Sequence, residues 1–154
     1  MKYFLLVFVF IISSCNNSDN TFKKPLQSFN EIKKGCYFLS IGRDSLLIQI
    51  IETDDTIRGK MVFDNFEKDG SRGIIRGTMH GDTLKGWYDF ESEGMRSVME
   101  IMFLNKDSLL IRAQGKVDVK ADTVYFPNPS VISFPDENAY RLVSCDNHPV
   151  LGKF

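Results

Sequence analysis

The side chains able to do chemistry in this sequence are few, and their spacing limits what they can do. The densest polar stretch is Asp89-Phe90-Glu91-Ser92-Glu93-Gly94-Met95-Arg96-Ser97-Val98-Met99-Glu100. Neighbouring carboxylates can divide acid and base roles, as in glycoside hydrolysis, which would make Glu91, Glu93 and Glu100 catalytic. Glu91, Glu93 and Gly94, however, fall where a hairpin should turn, and charge at such a tip is ordinarily just solvated. Glu100 alternates with Val98 and Met102 on one strand face, opposite Met99, Ile101 and Phe103. The two histidines, His80 and His148, each lack a second His, Cys or carboxylate at ligand spacing, so no metal is expected. No nucleophile elbow, P-loop or dinucleotide-binding glycine pattern occurs. The scattered Asp–hydroxyl pairs do not converge as calcium ligands would. The expectation is a protein that is not an enzyme and has no cofactor, no catalytic residue and no metal.

The elements that carry these residues read as β-strands. Asp44-Ser45-Leu46, Asp55-Thr56-Ile57, Asp82-Thr83-Leu84, Asp107-Ser108-Leu109 and Asp122-Thr123-Val124 each give Asp, a hydroxyl residue and an aliphatic. Asp bonds its own backbone in turns, and the residues after it favour the strand that follows. Inside the strands, Ile57-Arg58-Gly59, Ile75-Arg76-Gly77 and Leu84-Lys85-Gly86 repeat aliphatic, cation, glycine, with Met61, Met79 or Tyr88 two residues beyond. With period two, the aliphatic, the Gly and the Met or Tyr share one face and the cation takes the other. The predicted strands are 36–42, 45–52, 56–63, 72–80, 83–91, 96–104, 108–117, 122–126 and 139–145. Pro127, Pro129 and Pro135 make 127–138 a long connection.

Sequential antiparallel strands must close or pair face to face to manage their edges. The fold class is therefore all-β, an antiparallel up-and-down meander of eight or nine strands closing as a lipocalin-like (calycin-type) barrel; the alternative is a flattened β-sandwich. The inward glycines favour a barrel, since they permit coiling at its corners. Curvature, more than an interior emptied for a guest, is their expected role. Candidate ligand-facing interior residues are Ile57, Met61, Ile75, Met79, Leu84, Tyr88, Ile101, Phe103 and Ile111, which are plain core if no cavity exists. Trp87 faces outward, and the expectation is that it packs under the 127–138 connection.

Composition bounds the rest. Of 154 residues, 43% are hydrophobic, with 13 Phe and 5 Tyr, which is a globular balance. The formal net charge is −1 with no basic patch, which argues against nucleic acid. Lys2 followed by the unbroken apolar run 3–12 is too short to span a bilayer but suits an export signal. The run ends in Ile12-Ser13-Ser14-Cys15, which resembles the lipobox of bacterial lipoproteins. That resemblance implies cleavage after residue 14, acylation of Cys15, and a membrane partner reached through that lipid. Three acyl chains exceed what stable anchoring needs. Asn16, where an inner-membrane retention signal of that family would have Asp, points to the outer membrane, on its periplasmic face or at the cell surface.

With Cys15 lipidated, Cys36 and Cys145 remain as a pair in an oxidising compartment, where a disulfide is expected. It would close a loop around nearly the whole domain, worth about 4–5 kcal/mol in the chain-entropy model. Residues 1–14 are then the signal peptide. Residues 15–34 are the lipidated Cys and a flexible tether spanning roughly 25 Å, with a short helical turn about 28–34. Residues 35–154 are a single barrel domain. Cys36-Tyr37, Glu67-Lys68-Asp69, Gly81-Asp82-Thr83-Leu84 and Ser92-Glu93-Gly94 resemble the small uncharacterised lipoproteins common in Bacteroidetes. The functional expectation is a lipid-anchored, non-catalytic binding module of the cell envelope that holds a small apolar ligand in its barrel. The alternative is an interaction or inhibitor lipoprotein, similar in build to the barrel-type lysozyme inhibitors, that binds an envelope protein through its rim.

Overall fold

In the computed structural model the structure describes residues 31–146. The expected signal peptide, Cys15, most of the expected tether and His148 lie outside the described residues. The strands are β1 (Gly35–Ile41), β2 (Asp44–Thr53), β3 (Ile57–Asp64), β4 (Ser71–His80), β5 (Thr83–Ser92), β6 (Met95–Lys106), β7 (Leu109–Arg112), β8 (Asp118–Lys120), β9 (Thr123–Tyr125) and β10 (Ala139–Val143). β1 to β7 pair in sequence, and β10 fits between β7 and β1, so eight antiparallel strands close a barrel. The sandwich is excluded by this closure.

Each Asp–hydroxyl–aliphatic triplet stands at the start of a strand: β2, β3, β5, β7 and β9. In two of them the hydroxyl turns back onto its Asp, Thr83 Oγ1 on Asp82 Oδ1 and Thr123 Oγ1 on Asp122 Oδ1. In the β1–β2 hairpin Asp44 Oδ1 instead accepts from the Phe66 N–H, tying that turn to the β3–β4 connection. The turns gather at two rims. The upper rim carries the β1–β2, β3–β4 and β5–β6 connections, and the lower rim carries β2–β3, β4–β5 and β6–β7.

Alternation turns the apolar positions inward. Tyr37, Leu46, Ile48, Ile50, Ile57, Met61, Ile75, Leu84, Tyr88, Ile101, Phe103, Leu110 and Tyr140 form one buried cluster. Ile32 joins it from below. Residues 31–34 are not helical, in contrast to the expected turn, but Ile32 is buried against the lower end of the core. Tyr37 Oη donates to Lys33 O and Lys33 Nζ to Ser108 Oγ, so the incoming chain is fastened across the lower rim. The outward positions Arg58, Arg72, Arg76, Lys85 and Arg96 are exposed. That polarity is opposite to a lipid-embedded barrel, whose outer band is apolar.

The inward glycines are corners. A Cβ on Gly59 would overlap the Gln49 carbonyl oxygen, one on Gly77 that of Lys85, and one on Gly86 that of Arg76. The neighbouring backbone occupies the side-chain position, so these residues let strands approach and bend. They do not hollow the interior.

Three features depart from the sequence reading. The predicted strand 108–117 ends at Arg112, and β9 runs parallel to β6 beside Val98 and Met99 in its place. β8 is a short strand that the reading missed. The connection 113–138 folds back over the outer face of β6 and β7, held by Phe126 N–H to Glu100 Oε2 (2.8 Å) and a Gln114–Ser133 bridge.

Cys36 and Cys145 form a disulfide with Cα atoms 5.3 Å apart. It lies on the outer wall, where Cys36 packs with Leu47 and Val62 in a second apolar cluster. The clasp joins β1 to the segment just after β10, strands that already pair.

Candidate functional site

Of the nine candidate interior residues, Ile57, Met61, Ile75, Leu84, Tyr88, Ile101 and Phe103 belong to the buried core, and Met79 packs against it partly buried. Ile111 is on the other face. Leu110 pairs with Tyr140 inside, whereas Ile111 pairs with Ala139 outside. Both outer residues are nevertheless buried, beneath the returning connection. The run Leu109-Leu110-Ile111 is apolar on both faces because both faces are covered, so alternation alone could not choose between them.

The inward side chains fill the wall's interior with aromatic contacts. Tyr88 stacks on Phe90 at 4.7 Å and meets Phe63 tilted at 5.9 Å, while Phe103 meets Tyr140 edge-on at 5.7 Å. Tyr88 Oη donates to Met61 O and takes a hydrogen bond from Ser71 Oγ, both 3.1 Å. Desolvation pushes its phenol up to about 12, with the Ser71 bond a smaller opposing effect.

The open space lies at the ends and on the wall. A cleft of about 240 Å³ opens at the upper rim between the β3–β4 and β5–β6 turns, lined by Phe63, Asp64, Asp69, Ser71, Arg72, Glu91 and Glu93. Ser92 Oγ donates to Gly70 O across it, so the two turns are joined. At the lower rim a wider hollow of about 530 Å³ is lined by residues 31–34 themselves with Asn105, Asp107 and Ser108. On the outer wall a shallow 350 Å³ depression holds Thr56, Arg76, Lys85, Trp87 and Glu100. Trp87 is 46% exposed there. It does not pack under 127–138, because that connection is fastened one position over, at Glu100.

The candidate acids take structural positions. Glu91 and Glu93 are exposed at the β5–β6 turn, where Glu93 (φ 53°) and Gly94 (φ 73°) make the left-handed corner. Glu100 is half-buried and serves as acceptor for the Phe126 N–H. Asp89 is held by Arg96 through two hydrogen bonds of 2.8 and 2.5 Å, which lower its carboxyl below the usual range. His80 Nε2 meets Thr78 Oγ1. Among the described residues no group of three or more His, Cys, Asp or Glu is placed to hold a metal ion.

Sequence reasoning missed Arg112 and Tyr140, which stand on the inner face of adjacent strands. The Arg112 guanidinium lies 5.2 Å from the Phe63 ring centroid, and Tyr140 is fully buried. Placing Ile111 on the inner face gave β7 the wrong parity and hid Arg112, while Tyr140 lies on β10, for which the reading assigned no face. Compared with models of known protein families, with curated proteins and with solved structures, the chain matches none of them.

Proposed function

We propose that this protein is a lipid-anchored, non-catalytic binding module of the bacterial outer membrane that recognises its partner through the upper rim of the barrel. The observation that carries this reading is the contrast between a packed interior and a cleft at one end. The inner face is occupied by large side chains in mutual contact, which leaves the upper end of the barrel, around the cleft that Phe63 lines, as the working surface. The chain from Cys15 enters at the opposite end, where Ile32 and Lys33 are fastened. A tether attached at the lower rim presents the upper rim away from the anchor. Acylation of Cys15 and placement in the outer membrane rest on the lipobox resemblance.

Native mass spectrometry of the full-length protein purified from its host tests both parts. The expected species begins at an acylated Cys15 and carries no stoichiometric apolar guest. A retained signal peptide or an unacylated Cys15 would remove the anchor, and a bound apolar molecule at one per chain would restore the barrel as a carrier.

A further inference from the structure

We propose that the upper end of the barrel binds a carboxylate between Arg112 and Tyr140. This names a chemistry recognised just inside the upper rim and so rests on the upper end being the working surface. Leu110 stands opposite Tyr140 in the β7–β10 pair. Arg112, two residues on and on the same inward face, is therefore Tyr140's diagonal neighbour, at a Cα separation of about 7–8 Å that long side chains bridge.

Charged residues are nearly absent from the inward positions of the eight wall strands. Asp44, at the first position of β2, is one, and its carboxylate accepts from Phe66. Arg112 is the other. Its guanidinium, half-buried, lies over the Phe63 ring, a face that attracts a cation but accepts no conventional hydrogen bond. The ion pairs among the described residues are Arg58–Glu52 and Arg96–Asp89, and neither involves Arg112.

Tyr140 supplies the second, independent observation. Its side chain is fully buried and its hydroxyl has no hydrogen-bonding partner among the described residues. Buried polar groups are nearly always partnered, so such a hydroxyl calls for a physical reason. Burial raises its phenol to about 12, and the nearby Arg112 charge acts in the opposite sense. An oxyanion set against the guanidinium fork would take paired hydrogen bonds from Arg112 and a further one from Tyr140, satisfying both donors together. A singly charged, planar group fits best. One cation and one hydroxyl between the Phe63 and Phe103 rings cannot balance a dianion, and the adjoining cleft carries Asp64, Asp69, Glu91 and Glu93.

A carboxylate can come from a free small acid or from the chain end of a protein partner, and titration calorimetry on the full-length protein in detergent separates them. Benzoate is compared with benzyl alcohol, and the peptide Gly-Gly-Phe with its C-terminal amide. The expected result is saturable binding of at least one carboxylate and none of its uncharged counterpart, the tighter of the two identifying the source. Arg112→Gln and Tyr140→Phe should each weaken it by about tenfold or more. Tyr140→Phe should leave the unliganded melting temperature unchanged or raised, because no hydrogen bond is lost. Absence of saturable binding by the wild type, equal affinity in Arg112→Gln, or a lowered melting temperature in unliganded Tyr140→Phe would each overturn the site. The calorimetry uses no protein partner, so its outcome is independent of whether one is found.

Discussion

Tyr88 and Tyr140 hold neutral phenols inside the barrel, and each is pushed up to about 12 chiefly by desolvation. In the unfolded chain both titrate near 10, so their neutral form stabilises the fold fully below that pH. The contribution is lost as pH rises from 10 towards 12. We expect the melting temperature to fall steeply across that window, with the Tyr88 and Tyr140 share of the tyrosinate absorbance appearing only with unfolding. Tyr88→Phe should blunt the fall, though at the cost of the Met61 and Ser71 hydrogen bonds. The Asp89–Arg96 pair acts at the acid end with the opposite sign. A lowered carboxyl pKa adds stability above the ordinary value of 3.8 that disappears as pH drops below it, but this pair is exposed and its effect is small. At this scale the inward set from Ile57 to Phe103 was legible because one face is core and the other is charged. Arg112 was not legible, because β7 is covered on both sides and its parity leaves no trace in the sequence.

The strands owe their closure to glycine at the corners. A methyl group on Gly73 would overlap the Asp89 carbonyl oxygen and crowd Phe90 Cα, and both are backbone that cannot move aside cheaply. Gly73→Ala should therefore cost about 3 kcal/mol or more. Gly94→Ala meets nothing within 4 Å and costs only its left-handed backbone (φ 73°), about 1 kcal/mol. Denaturant titration of the two variants checks the contrast; equal losses would mean the corners do not limit closure. The Asp–hydroxyl–aliphatic triplets made the strand starts readable from sequence, since turn and strand preferences switch at a fixed residue. The end of β7 was unreadable for a non-local reason. Residues 113–117 have strand-like neighbours, but β6 takes β9 as its partner there, and no local pattern encodes that choice.

For the molecule as a whole, the disulfide and the entry of the chain lie together at the lower end. The clasp spans 109 residues, and its reduction should lower stability by about 2–5 kcal/mol without opening the barrel, because β1 and β10 also pair by backbone. Unfolding with and without reductant measures the loss; a chain that unfolds outright on reduction would show that pairing alone does not close the last seam. The closed barrel and the clasp were both foreseeable from strand order and from two cysteines at the ends of the domain. The packed interior was foreseeable only as one of two outcomes, since inward Met, Tyr and Ile residues fit a filled core as well as a lined cavity. The most direct test of the account is photo-crosslinking in the intact envelope, with a crosslinking residue at position 93 on the upper rim or at position 55 on the lower. The account predicts one reproducible protein adduct from position 93 and none from position 55; adducts from position 55 alone, or none from either, would contradict it.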